Sequence, residues 1–220
     1  MGEEKMPFNQ LGTASAAAQQ EQVDEEAWRA KNLPREKLVF RWRYADASIQ
    51  LYERRLRSLA GFNVGPAVQA WVRSRLEWMQ DNRLREQPDG VLELSIDPEG
   101  DVGMGMRPLS EPPAFTPGAL RWQDGRLAGC ELAGSVWLAC GGQLHVWPGP
   151  LLHAADTFAR DLLETLGNQL QEGPITQAAL AAEGAELFLV NDEFGVVACA
   201  GTEGPVGRKL GACFAKLWSA

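Results

Sequence analysis

Glu186-Leu-Phe-Leu-Val-Asn-Asp-Glu-Phe-Gly-Val-Val-Ala-Cys199 is the stretch around which the chain is read. Leu187 to Val190 and Val196 to Cys199 are short apolar runs, and the polar break Asn191-Asp192-Glu193-Phe194-Gly195 lies between them. Two such runs around a glycine-ended break predict two buried strands and a sharp turn. Amides and polar side chains in a buried turn need partners. The turn is therefore either a ligand site or a corner that satisfies its own groups. Pattern alone leaves both open.

The whole chain sets wider bounds. Its 220 residues are 45% hydrophobic, enough for one large core or two small domains. Twenty-one basic against twenty-nine acidic residues give a net charge of −8, which argues against nucleic acid as the main partner. Met1-Gly-Glu-Glu-Lys-Met-Pro7 lacks the apolar core of a signal peptide, and no apolar run approaches a membrane span. Cys130, Cys140, Cys199 and Cys213 show no C-x-x-C spacing, so free thiols and a cytoplasmic location are expected. With only His145 and His153 to join them, zinc is disfavoured.

Residues 1–34 are rich in Gln, Ala and Glu and read as a flexible tail, with a solvated helix from Ala16 to Ala30 as the alternative. Leu38-Val-Phe-Arg-Trp-Arg-Tyr44 alternates apolar and basic residues, a strand signal. Ser48 to Leu59 carries Ile49, Tyr52, Leu56 and Leu59 at helical spacing. Pro66 opens a longer helix whose apolar stripe is Val68, Trp71, Val72, Leu76 and Met79, with its tryptophans read as core. Val91–Ile96 and Val102–Arg107 flank the turn Asp97-Pro-Glu-Gly100 and form a hairpin. Gly103 and Gly105 are followed by neither helix nor lysine and form no phosphate loop.

The segments Glu131-Leu-Ala-Gly-Ser-Val-Trp-Leu138, Leu144-His-Val-Trp-Pro-Gly-Pro150, Thr157-Phe-Ala-Arg-Asp161, Ile175-Thr-Gln-Ala-Ala-Leu180, the Asn191 turn and Gly204-Pro-Val-Gly-Arg-Lys-Leu210 follow one another in an order that resembles the C-terminal half of class-IV pyridoxal-phosphate enzymes. These are the branched-chain and D-amino-acid aminotransferases and aminodeoxychorismate lyase, and the Asn-x-x-x-Gly-Val turn is most similar to the lyase. The resemblance implies an α/β fold of the D-amino-acid aminotransferase type, shortened. It implies a small domain over 36–112, a larger one over 118–220, a cleft between them and a homodimer.

It also implies roles. Arg55, in Leu51-Tyr-Glu-Arg-Arg-Leu-Arg-Ser-Leu-Ala60, matches the arginine that grips the cofactor phosphate, although Tyr52 stands where the family has histidine. A guanidinium suits phosphate because its fork donates two parallel hydrogen bonds. Phe158 and Ala159 fall in the segment whose helix-start amides receive that phosphate. Glu131 matches the carboxylate on the pyridine nitrogen. Asn191 and Asp192 fall at the turn, with Asp192 where the family places a phosphate-binding Ser or Thr. A carboxylate about 4 Å from a phosphate costs roughly 1–4 kcal/mol per unit charge. Asp192 is therefore expected to face the cleft near Arg55 and to fill the phosphate's space.

One residue type is missing. The family holds its cofactor as a Schiff base to a lysine that also moves the proton. The lysines here are Lys5, Lys31, Lys37, Lys209 and Lys216, with none from Leu38 to Arg208. Arg121 cannot replace it, since a guanidinium is no carbonyl nucleophile at neutral pH. Neither a G-x-S-x-G elbow nor a nucleophile beside a histidine is present, and His153 is left as a lone acid/base candidate. Three readings follow: a binding or partner protein on a class-IV fold without pyridoxal chemistry; an enzyme of amino-acid or folate-precursor metabolism using the cofactor without a covalent lysine; and a module whose cleft takes a different, small anionic ligand.

Overall fold

The protein is described here by a computed structural model covering residues 9–149, 154–165, 167, 169–171 and 173–219. Helix α1, Asn9–Asn32, spans the Ala16–Ala30 stretch for which a solvated helix is the alternative to a flexible tail. Its residues from Gln20 to Lys31 are exposed, but its end is anchored: Leu33 joins the first core, and the Asn63 side chain donates to the carbonyls of Ala30 and Leu33.

Strand β1, Leu38–Ala45, buries Leu38, Phe40, Trp42 and Tyr44 and exposes Val39 and Arg41, as a two-residue period requires. The expected helix from Ser48 instead opens with strand β2, Ser48–Ile49, and only then becomes α2, Tyr52–Leu59. Ala45 pairs with Ser48, so the intervening turn is Asp46-Ala47, with φ of 49° and 55°. Helix α3, Pro66–Asn82, has Pro66 in its first turn and buries Val68, Val72, Leu76 and Met79. Trp71 does not join that stripe; it is half exposed, as is Trp78. Strands β3, Gly90–Ile96, and β4, Val102–Arg107, form the expected hairpin and complete an antiparallel sheet in the order β2-β1-β3-β4. α2 and α3 pack on it through Leu56, Leu59, Val72 and Leu76 against Trp42, Leu92 and Leu94.

The interval after β4 is short. It yields the hairpin of β5, Leu120–Gln123, and β6, Arg126–Cys130. The remaining elements are β7, Ser135–Cys140; β8, Gln143–Trp147; α4, Ala154–Thr165; β9, Gln169–Gln171; α5, Gln177–Leu180; β10, Glu186–Asn191; β11, Gly195–Ala198; and α6, Pro205–Trp218. The second sheet runs β11-β10-β7-β8-β9, with only β8 and β9 parallel. Every residue of β10 is buried. Phe188 and Val190 face Trp137, Leu210 and Phe214, while Leu187 and Leu189 face Leu127, Val136 and Ile175. A strand covered on both faces has no polar side to alternate, which explains its continuous apolar run.

β10 also carries a buried acid at its head. The Glu186 carboxylate accepts from the amides of Val206 (2.9 Å) and Gly207 (3.0 Å), at the start of α6. A side chain on Gly204 would collide with it. Glu186→Gln keeps the size but turns an NH2 group toward an amide donor. It is expected to lower stability by about 1–2 kcal/mol. The denaturation midpoint measures this, and an unchanged midpoint would show that the contact contributes nothing.

The mixed helix-and-sheet fold matches the expected class. Among the described residues no helix is long and apolar enough to cross a membrane. The four cysteines are free, and burial pushes the thiols of Cys130 and Cys199 above the ordinary range, which makes them poor nucleophiles.

Candidate functional site

The turn between β10 and β11 lies where the two sheets meet, and its polar groups are satisfied one by one. Asn191 accepts at Oδ1 from the amides of Glu193 (3.1 Å) and Phe194 (2.8 Å) and donates through Nδ2 to the Ala133 carbonyl (3.1 Å). It is thus the corner residue, and the turn's tightness comes from it. Gly195 follows with φ of 71°, and a Cβ there would run into Trp218 and Phe214. Of the two roles open to this turn, Asn191 takes the structural one.

Asp192 does something else. It is 2% exposed, and its carboxylate lies on the N-terminus of α4, accepting from the amides of Ala155 (2.7 Å) and Ala154 (3.2 Å). Its carbonyl accepts from the Arg43 amide (3.0 Å) and from Arg55 Nη2 (2.9 Å). One residue therefore joins β1, α2 and α4. A helix N-terminus offers unpaired amides and the positive end of the helix dipole, so an anion is the natural occupant. Here the chain supplies that anion itself.

Arg55 is fully buried in α2, beside Trp42, and donates through Nη1 to the Arg43 carbonyl at 2.5 Å. Burial pushes its guanidinium down to about 10, and the charge of Asp192 resists that fall. It remains a cation at neutral pH. Its Nε has no hydrogen-bond partner among the described residues. A second link runs alongside: Glu193 pairs with Arg107 (2.7 Å), Arg107 with Glu93 (3.2 Å), and Glu93 with Arg41 (3.2 Å). The Arg107 and Arg41 guanidinium groups hold the Glu93 carboxyl below the usual range.

The structure thus brings Arg55, Asn191 and Asp192 together and leaves the other expected site residues out. Phe158 and Ala159 need correction. α4 begins at Ala154, so both lie in its second turn, where helical amides bond to their own preceding turn. Phe158 packs edge-on against Phe214 (5.2 Å between centroids), and Ala159 is core. The α4 amides that meet an anion are those of Ala154 and Ala155, and the anion is Asp192. No side-chain signal could have found them, because main-chain amides are the active groups. Glu131 is exposed and ion-paired with exposed Arg121 (2.6 Å), so it is a surface acid outside the Asp192 cluster. Lys31, Lys37, Lys209 and Lys216 are all exposed. Lys5, His153 and Pro150 lie outside the described residues.

No protein-family profile matches the chain, and no curated protein does. Solved structures match. A 4-amino-4-deoxychorismate lyase from Pseudomonas aeruginosa superposes with a TM-score of 0.59 at 18% identity, over 82% of this chain and 90% of that one. A hypothetical aminotransferase from Mycobacterium tuberculosis, with α-ketoglutarate and PMP bound, gives 0.62 at 13%, over 84% and 88%. The branched-chain amino acid aminotransferase of Escherichia coli gives 0.60 at 11%, over 83% and 86%. Likeness at these identities establishes the fold: the chain is built on that of the class-IV pyridoxal-phosphate enzymes.

Proposed function

We propose that this chain has left pyridoxal chemistry and works as a binding or partner protein on the class-IV fold. The observation that carries the proposal is the Asp192 carboxylate on the Ala154 and Ala155 amides, with Arg55 bonded to the Asp192 carbonyl. Those amides and that guanidinium are the groups a cofactor phosphate needs, and each is already engaged. At the other end of the expected cofactor, Glu131 is paired at the surface. The lysine that would carry the Schiff base is absent from Leu38 to Arg208. The residues present do not fit pyridoxal phosphate, and no catalytic step is assigned through it. In the same reading residues 36–112 and 118–220 are two domains, and the protein functions as a cytoplasmic homodimer.

Purified protein mixed with pyridoxal phosphate should show no aldimine band in the visible range. Borohydride reduction followed by peptide mass mapping should find no lysine labelled in stoichiometric amount. Stoichiometric labelling of a single lysine, together with a new absorbance band, would overturn the proposal.

A further inference from the structure

Helix α3 carries a second stripe that the core does not use. Trp71, Arg75 and Trp78 recur at i, i+4 and i+7 and so lie along one outward line. The two indoles are 49% and 44% exposed, and the Arg75 guanidinium stacks over Trp78 at 4.3 Å. No hydrogen-bond acceptor or carboxylate meets Arg75 among the described residues.

Beside this stripe runs β4, the last strand of its sheet, with no strand on its outer side among the described residues. Val102, Met104 and Met106 pack toward the core that α3 covers, while Gly103 and Gly105 alternate with them. Two adjoining hollows of about 520 and 490 Å3 lie between α3 and β4 and share Arg75, Trp78 and Met104. Free edges are ordinarily blunted by lysine, proline, a bulge or an inward-facing charge. β4 keeps regular register with β3 from Val102 to Arg107 and carries none of these before Arg107-Pro108. It is an open edge beside exposed aromatic surface.

We propose that this face docks an extended segment of another protein whose α3-facing row is apolar apart from one carboxylate. The segment adds to β4 as a further strand. Its α3-facing side chains continue the row of Met104 and Met106 against Trp71 and Trp78, and one carboxylate within that same row meets Arg75. Charge selects this occupant over a second copy of the chain. A twofold β4–β4 pairing sets the same groove against itself, Arg75 facing Arg75, and its one acid, Glu86, already has Arg83 at 3.8 Å. The proposal names the surface for the partner-binding role above and rests on that role.

The probe is a capped peptide of about ten residues with threonine on one face and, on the other, valine interrupted by one central glutamate, long enough to span β4. Its lysine counterpart and a version with a central proline are the controls. Tryptophan fluorescence reads affinity, and hydrogen exchange reads the amides of Val102–Arg107. The glutamate peptide should bind and protect those amides, at least about tenfold more tightly than the lysine peptide. The proline version should lose binding. Arg75→Glu, a change on an exposed face, should invert the order of the two charged peptides. Absent binding, equal binding of the two, or protection only outside β4 overturns the proposal. So does concentration-dependent protection of β4 without peptide, which assigns the edge to a second copy. No pyridoxal phosphate enters these assays, so failure here and failure of the preceding test are separate results.

Discussion

Asp192→Ser should lower the stability of the protein by about 3–5 kcal/mol. The carboxylate accepts from two amides at the head of α4 and offsets the charge of a fully buried guanidinium. Bonds to a charged acceptor are worth about 1.5–3 kcal/mol each, and burying the carboxylate consumes part of that gain. What dominates is the state left behind. Removing one partner strands Arg55 in the interior without its counter-charge and leaves the Ala154 and Ala155 amides short of an acceptor. A fully exposed residue at this turn would give a change within about 0.5 kcal/mol, so the two cases are easily told apart.

The same substitution should create a demand for anion. Serine supplies a hydroxyl, vacates the carboxylate's place and leaves two amides there, with the Arg55 charge close enough to act on it. Inorganic phosphate should then stabilise the variant, by about 2.7 kcal/mol at one hundred times its dissociation constant. It should leave wild type unmoved. Phosphate or pyridoxal phosphate should bind the variant about five- to a hundred-fold more tightly than wild type, and added salt should weaken the effect only where solvent enters. Calorimetric titration with thermal melts in phosphate and in chloride reads both. Equal response of variant and wild type to phosphate would mean that Asp192 only caps a helix.

What was legible in the chain follows from what side chains can announce. β10 could be read because a strand buried on both faces must be apolar throughout, and α3 because Pro66 and its buried stripe agree. The β1–β2 turn was hidden. Its two residues take positive φ without glycine, as Asp46-Ala47, so the usual Asn-Gly or Asp-Gly signal is absent and the helical spacing of Ile49 and Tyr52 misled. Leu51, also at positive φ (56°), then separates β2 from α2. Trp71 misled differently: periodicity places a residue on a helix but does not say how far the neighbouring sheet extends, and β4 ends that cover. At the site, Arg55 and Asp192 were reached through the family resemblance, by their places in the Leu51–Ala60 segment and the Asn191 turn. Their partners were not, because Ala154, Ala155 and Arg43 act through main-chain groups that any residue possesses.

Arg55→Met should destabilise the protein by an amount similar to Asp192→Ser, and the two losses should not add. Methionine fills the volume, but the Arg43 and Asp192 carbonyls lose the Arg55 donor, and the Asp192 charge loses its compensation. Breaking either side of a buried pair costs about 3–5 kcal/mol, because the other side is left uncompensated. In the double variant Arg55→Met/Asp192→Ser neither charge remains, so the largest part of each single loss disappears. The double variant is therefore expected to be more stable than the sum of the single changes predicts, by about 1–3 kcal/mol. Phosphate should separate the backgrounds as well: it should rescue Asp192→Ser, where Arg55 persists, and fail in the double variant, where only two amides remain. Denaturant titrations of the four proteins, with and without phosphate, supply the cycle. Strict additivity would show that Arg55 and Asp192 stabilise the fold independently, and the account of an internal carboxylate standing in for a phosphate would have to be given up.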